Sequence, residues 1–164
     1  MFPKAVQDAM NKQINHELFS SYLYLSMAAH FEKESLPGFA KWMVAQSDEE
    51  RAHAMKFYEF IYDRGGSVTL EAIAKPQTEF KRPLDVMTQV LEHERKVTAL
   101  ITSVYETAVK ENDYPSQVML QWFISEQVEE EKTASEIIDR LTKAGDSPAT
   151  LFMMDAQMGA RSKA

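Results

Sequence analysis

Phe39-Ala40-Lys41-Trp42-Met43-Val44-Ala45-Gln46-Ser47-Asp48-Glu49-Glu50-Arg51-Ala52-His53-Ala54-Met55-Lys56-Phe57-Tyr58-Glu59-Phe60 is the stretch on which the fold turns. Alternating steps of three and four keep one face of an α-helix toward its neighbours. Stepped this way, the stretch gives the row Phe39, Met43, Gln46, Glu50, His53, Phe57, Phe60. The row is apolar at both ends and carries a carboxylate and an imidazole in its middle. Burying an unpaired carboxylate costs several kcal/mol or forces its protonation, and a bound metal ion removes that cost.

Three further stretches repeat the arrangement. One reads Met10, Ile14, Glu17, Ser21, Tyr24, Ala28, Phe31; another Met87, Val90, Glu94, Val97, Ile101, Val104, Ala108; the last Leu120, Phe123, Gln127, Glu130, Ala134, Ile137, Leu141. Glycine occurs only at 38, 65, 66, 145 and 159, and proline only at 3, 37, 76, 83, 115 and 148. The uninterrupted segments between them predict four long helices over 4–35, 38–64, 83–112 and 115–143, and a short fifth over 147–160.

Pro37-Gly38 and Asn112-Asp113-Tyr114-Pro115 predict tight turns, making the helices they join antiparallel. The segment from Gly65 to Arg82 holds Gly65-Gly66 and Pro76 and has no sustained periodicity. Extended, its residues reach roughly 59 Å, against about 40 Å for the helix beside it. A full-length crossover between the second and third helices therefore fits, and it would set those two helices parallel. In that topology Glu17, Glu50, Glu94, Gln127 and Glu130 each fall about 11 to 15 residues into their helices, near one height at mid-bundle.

The 164 residues, 45% hydrophobic, suffice for one core and one domain spanning 1–164, with the bundle over about 4–143. No cysteine is present, which excludes disulfides, thiolate zinc sites and a rubredoxin-type iron site. Met1-Phe2-Pro3-Lys4 lacks the apolar run of a signal peptide, and no stretch reaches the roughly 18 apolar residues of a membrane span. A cytoplasmic location and no membrane partner are expected. The net charge of -7 argues against a nucleic-acid partner and suits the attraction of cations.

Glu50-x-x-His53 places two ligand types three residues apart on one helix face, a weak pattern alone. Joined by Glu17, Glu94 and Glu130 at matched depth, it becomes a hard, oxygen-rich set suited to two Fe(II) or Mn(II) ions, with Glu50 as the natural bridge.

Several stretches together resemble the bacterial non-haem ferritins, over essentially the whole chain. They are Asn15-His16-Glu17-Leu18, Tyr22-Leu23-Tyr24, Asp48-Glu49-Glu50-Arg51-Ala52-His53-Ala54, Glu92-His93-Glu94, and Trp122-Phe123-Ile124-Ser125-Glu126-Gln127-Val128-Glu129-Glu130-Glu131. The resemblance implies an all-α, ferritin-like four-helix bundle with a long crossover and a short fifth helix. It implies an iron-storage protein that oxidises Fe(II) with O2 or H2O2 and deposits ferric oxyhydroxide inside a 24-subunit homo-oligomeric shell. Glu17, Glu50 and His53 would hold one iron and Glu50, Glu94 and Glu130 the other, with Gln127 beside the second. Glu49, Glu126 and Glu129 would form a third iron site.

Tyr24, two turns from Glu17, is expected to reach the site as a hydrogen-bond or one-electron donor. Trp122, seven residues from Glu129, fits either a functional ring or a core filler. His16 and His93, about 100° from the inward face, and His30 are not expected to be ligands; the first two read as surface or subunit-contact residues. In the related bacterioferritins a Met after the bridging Glu binds haem; Arg51 stands there in this chain, and their second Glu-x-x-His is Gln127-x-x-Glu130, so no haem is expected. Animal ferritins line an iron-access channel with carboxylates where this chain has Gln117 and Leu120. The apolar Leu151-Phe152-Met153-Met154 suits packing around a four-fold axis. The alternatives are a rubrerythrin-like di-iron peroxidase, a di-iron oxygenase, or a purely structural shell subunit.

Overall fold

The computed structural model describes residues 1–161, so the last three of the expected 1–164 span lie outside the described residues. The elements run α1 (Lys4–Lys33), α2 (Pro37–Asp63), α3 (Pro83–Lys110), α4 (Tyr114–Ala144) and α5 (Pro148–Gly159), with no strand among the described residues. Each of the last four helices has a proline at its first or second position, where the missing N–H breaks no helical bond. No helix is long and apolar enough to cross a membrane among the described residues.

The helix ends correct one expectation. Pro37 opens α2 rather than forming the turn before it. The turn is made by Ser35, left-handed at φ 57°, with the Leu36 N–H donating to Phe31 O at 2.9 Å. Asn112, at φ 55°, does the same after α3, where the Asp113 N–H donates to Ala108 O at 2.9 Å. Both are Schellman-type stops, and only the third of their kind, after α2, uses glycine, Gly65 at φ 72°.

The crossover follows α1 along its length. Asn11 donates to Ser67 O and accepts from the Thr69 N–H, Asn15 donates to Ala72 O, Ser26 donates to Gln77 O, and the His30 imidazole meets Lys81 O at 2.9 Å. A chain that leaves the end of α2 and returns along α1 must start α3 parallel to α2, as the loop length allowed. At the base of the bundle Arg64 forks onto Asp113 at 2.7 and 3.0 Å, tying the end of α2 to the α3–α4 turn.

Helix α5 crosses the start of α2 at backbone contact. A Cβ on Gly38 would lie 1.7 Å from Asp155 O, so no other residue fits there. Asp155 Oδ1 accepts the Phe39 N–H at 2.9 Å, satisfying one of the free donors at the start of α2. Met154 and Met158 pack onto the core, while Phe152 and Met153 stay 63% and 65% exposed. The apolar stretch of α5 is thus only half satisfied within this chain.

The core is divided. One apolar cluster gathers Tyr24, Phe31, Phe39, Met43, Met87 and their neighbours, and the other Met10, Phe57, Ile101, Leu120, Phe123 and theirs. Stacked pairs anchor both, Phe31–Phe39 with centroids 5.1 Å apart and Phe57–Phe123 4.2 Å apart. Each fully buried ring contributes about 2–3 kcal/mol. Between the clusters lies a buried polar layer of Gln13, Glu17, Ser20, Gln46, Ser47, Glu50, His53, Glu94, Gln127 and Glu130.

Candidate metal centre

All seven row positions of α3 and of α4 are buried, so Glu94, Gln127 and Glu130 point inward because the apolar residues above and below them must. Glu17, Glu50 and His53 are brought in by α1 and α2 in the same way, and each of these six side chains is 8% exposed or less.

Glu17, Glu50 and His53 form one group whose ligand atoms all lie within 4.8 Å of one another. His53 Nδ1 stands 3.4 Å from Glu50 Oε2 and 4.0 Å from Glu17 Oε2. Two donors on one ion at about 2.1 Å each are separated by at most about 4.2 Å, so the group closes on a cation with sub-ångström adjustment. Glu17 Oε1 accepts from Gln13 Nε2 at 2.8 Å, but Glu17 Oε2 is buried with no hydrogen-bond partner. A buried carboxylate oxygen aimed at an imidazole and lacking a donor is the atom a metal ion would satisfy.

The imidazole is held by rings. Trp122 and Phe123 stand edge-on to His53 with centroids at 5.4 and 5.8 Å, and Lys56 Nζ lies 4.2 Å from the Trp122 ring. Trp122 therefore walls the site while remaining 40% exposed, which accounts for a spacing that fitted two readings.

The other half of the layer is arranged differently. The Tyr24 hydroxyl donates to Glu94 Oε1, and Gln127 Nε2 donates to Glu94 Oε2 at 3.1 Å. Gln46 Nε2 donates to Glu130 Oε2 at 2.6 Å. Beyond Gln127, Thr98 Oγ1 links to Glu131 Oε1 at 2.7 Å, carrying the network to the α3–α4 surface.

Crowding four carboxyls in a dry layer shifts them all upward. Burial, then the charge of Glu50, raises Glu17 well above the carboxylate range; burial, then Glu94, does the same to Glu50. Burial raises Glu94 against the opposing hydrogen bonds from Tyr24 and Gln127, and burial with Glu94 pushes Glu130 up to about 7. Burial, followed by Glu94, also raises the Tyr24 phenol, so it stays protonated as a donor. Cations entering this layer would displace protons from it.

The remaining sequence candidates divide. Glu126 joins His53 and Glu130 in a second group within 4.8 Å. Glu49 is instead engaged by Arg161 at 2.6 Å, and Glu129 is exposed and in neither group. His93, expected at the surface or at a subunit contact, is half-buried: its Nε2 lies 2.7 Å from Ser20 Oγ and its ring is edge-on to Tyr24 at 5.8 Å. Burial, then Lys96 and His16, lowers it to about 4, so it is neutral. His16 is half-buried, and His30 serves the crossover. Arg51 is exposed; Leu120 is core, and Gln117 Nε2 donates to Ala108 O at 3.3 Å. Sequence reasoning missed Gln13, Thr98 and Glu131; Gln13, one turn before Glu17, was the most legible of them.

A four-helix bundle with one long crossover and a buried carboxylate and histidine layer contributed by all four helices is the architecture of the ferritin-like class. Residues 7–144 match the family model for the ferritin-like domain. The chain is 43% identical over 161 residues to the bacterial non-heme ferritin of Bacteroides fragilis strain 638R, covering 98% of this chain and 100% of that protein. It is 40% identical over 162 residues to that of Staphylococcus epidermidis strain RP62A, covering 99% and 98%. Among solved structures it is similar to an open pore ferritin from the hyperthermophilic archaeon Archaeoglobus fulgidus, at TM-score 0.97 and 40% identity over 99% of this chain and 100% of that one. The chain belongs to the ferritin family.

Proposed function

We propose that this protein stores iron, oxidising Fe(II) at a paired-iron centre within each subunit and holding the product as ferric oxyhydroxide inside a 24-subunit shell of identical chains. Residues 1–164 act as one ferritin-like unit in this reading, in the cytoplasm. The observation that carries it is the polar layer that splits the core, and above all the unpartnered Glu17 Oε2 beside His53.

Glu17, Glu50 and His53 receive one Fe(II), and Glu50, Glu94 and Glu130 the second, with Gln127 beside it. Each Fe(II) gives one electron; O2 takes two electrons and two protons to become H2O2, or H2O2 takes two of each to become two waters. The chain's part is to hold both ions at fixed separation, to release carboxyl protons as they bind, and to leave room for the oxidant between apolar walls. Tyr24 keeps Glu94 oriented and offers a phenolic proton or electron beside the second iron. Glu49, Glu126 and Glu129 take a third iron on its way to the cavity. Haem has no place in this scheme, since Arg51 offers no thioether.

Exposed apolar side chains on several faces support self-association: Tyr22 and Leu25 on α1, Leu70 on the crossover, Phe152 and Met153 on α5. The test is native mass measurement with iron loading. A particle of hundreds of kilodaltons holding iron far in excess of subunits is expected, and a monomer or dimer with two irons per chain would favour a di-iron peroxidase or oxygenase instead.

A further inference from the structure

Just beyond α5, Arg161 reaches back over the start of α2. Its Nη2 donates to Glu49 Oε2 at 2.6 Å and its Nη1 to Gln46 Oε1 at 2.9 Å, while the guanidinium lies 4.8 Å from the centroid of the Trp42 ring. This placement is fixed by the backbone contact of Gly38 with Asp155 and of Gly38 with Gly159, which sets where α5 ends. Gln46, 1% exposed, passes the contact inward through its other end, donating to Glu130 Oε2 at 2.6 Å.

We propose that Arg161 is a built-in competitor for the third iron: its guanidinium holds Glu49 away from Glu126 and Glu129, so a third metal binds only by displacing it. The inference rests on reading Glu49, Glu126 and Glu129 as a third iron site. Glu49 already has a cation, and it is absent from the group in which Glu126 approaches His53 and Glu130. A guanidinium forked between a carboxylate and an amide is geometrically demanding, which makes this contact selective rather than a diffuse charge effect. Since Gln46 bonds both Arg161 and Glu130, displacing Arg161 frees Gln46 to release Glu130, a ligand of the second iron. Filling the third site thereby removes a hydrogen bond that competes with the second iron for Glu130, which couples the two positions. Arg161 is a positioning residue in this scheme and touches no iron itself.

The test uses the full chain, assembled as it purifies, with Mn(II) as a stand-in that O2 leaves reduced. Crystals of wild type, Arg161→Gln, Arg161→Lys and Arg140→Gln are soaked over a range of Mn(II) and occupancies read by anomalous scattering. Arg140 lines the same cavity as Arg161 and controls for loss of charge alone. Arg161→Gln should fill the third position at about three- to tenfold lower Mn(II) than wild type. Arg161→Lys, which keeps the charge and the fold but not the fork, should fall between, and Arg140→Gln should match wild type. Wild-type crystals with the third position filled should show the guanidinium off Glu49. Equal third-site occupancy in wild type and both Arg161 variants would overturn the role of Arg161 and leave the third site standing. A third metal bound beside an intact Arg161–Glu49 pair, or an equal gain in Arg140→Gln, would overturn it likewise. If no third metal appears in any protein, the third-site reading falls and the inference with it.

Discussion

The two halves of the polar layer contain much the same chemistry and are prepared in opposite ways. Around His53, Glu17 Oε2 has no hydrogen-bond partner, and Gln13 donates to its other oxygen. Around Glu130, each carboxylate is already engaged, Glu94 by Tyr24 and Gln127, and Glu130 by Gln46. An unpaired buried oxygen is a standing cost to the folded chain, and a neutral donor removes that cost without a metal. In the proposed reading the half around His53 takes a cation first, and the half around Glu130 exchanges hydrogen bonds to take the second.

The largest effect expected follows from removing the shared or anchoring ligands. Glu50→Ala or His53→Ala should slow rapid Fe(II) oxidation by on the order of 100-fold or more, with the shell still assembled, because assembly rests on apolar faces. Stopped-flow absorbance and native mass measure the two separately. Oxidation at the wild-type rate in either variant would break the di-iron assignment.

Next in size is the effect of pH on the metal-free protein. The buried carboxyls keep protons in the folded chain that the unfolded chain gives up near pH 4 to 5. Stability from this source is complete below that range and is lost as pH rises through the folded value of Glu130, about 7. The melting temperature of the apo protein should therefore fall between about pH 5 and pH 8, and saturating Mn(II) should remove the fall. A melting temperature that rises over that interval without metal would contradict the crowded-carboxyl picture.

Tyr24→Phe sharpens the contrast between the halves. It should slow oxidation by about tenfold or less, while leaving the affinity for the first Mn(II), measured by calorimetry, unchanged. Smallest of all, Trp122→Phe should change the rate by less than about twofold, since Phe keeps an edge against His53. It should also abolish most of the fluorescence quenching caused by the first equivalent of iron, because Trp122 is the indole on that half.

Much of this was legible in the sequence, and the failures have physical causes. The α3 and α4 rows hold at every position because two long amphipathic faces with few polar interruptions leave one way to bury them. The α1 and α2 rows slip: Ser20 is buried where Ser21 was expected, and Ile61 where Phe60 was. In α2 the cause is that alternating steps of three and four impose a period of 3.5, from which a straight helix at 3.6 drifts about 20° per heptad, whereas Ser20 is buried because it faces α3, with its Oγ 2.7 Å from His93 Nε2. His93 also meets α1, a contact the central row did not indicate, because a helix in a bundle has two neighbours and a residue 100° from that row can still face one. The first turn was assigned to Pro37-Gly38, yet Ser35 adopts the left-handed conformation that makes it, while the second falls at Asn112 within the stretch expected to turn. The route of the crossover rests on Asn11, Asn15, Ser26 and His30 bonding to backbone carbonyls, contacts that leave no periodic trace in sequence. The hydrogen bonds that distinguish the two halves were equally invisible, since they depend on side chains from different helices meeting at one height.

The most direct test of the central claim is a count of the Fe(II) oxidised in the rapid phase when increasing Fe(II) is mixed with the iron-free protein and excess O2. The account predicts a rapid-phase amplitude that grows up to two Fe(II) per subunit and then breaks to a slower phase. An amplitude that saturates at one per subunit, or shows no break, would contradict a paired-iron centre built from these two halves.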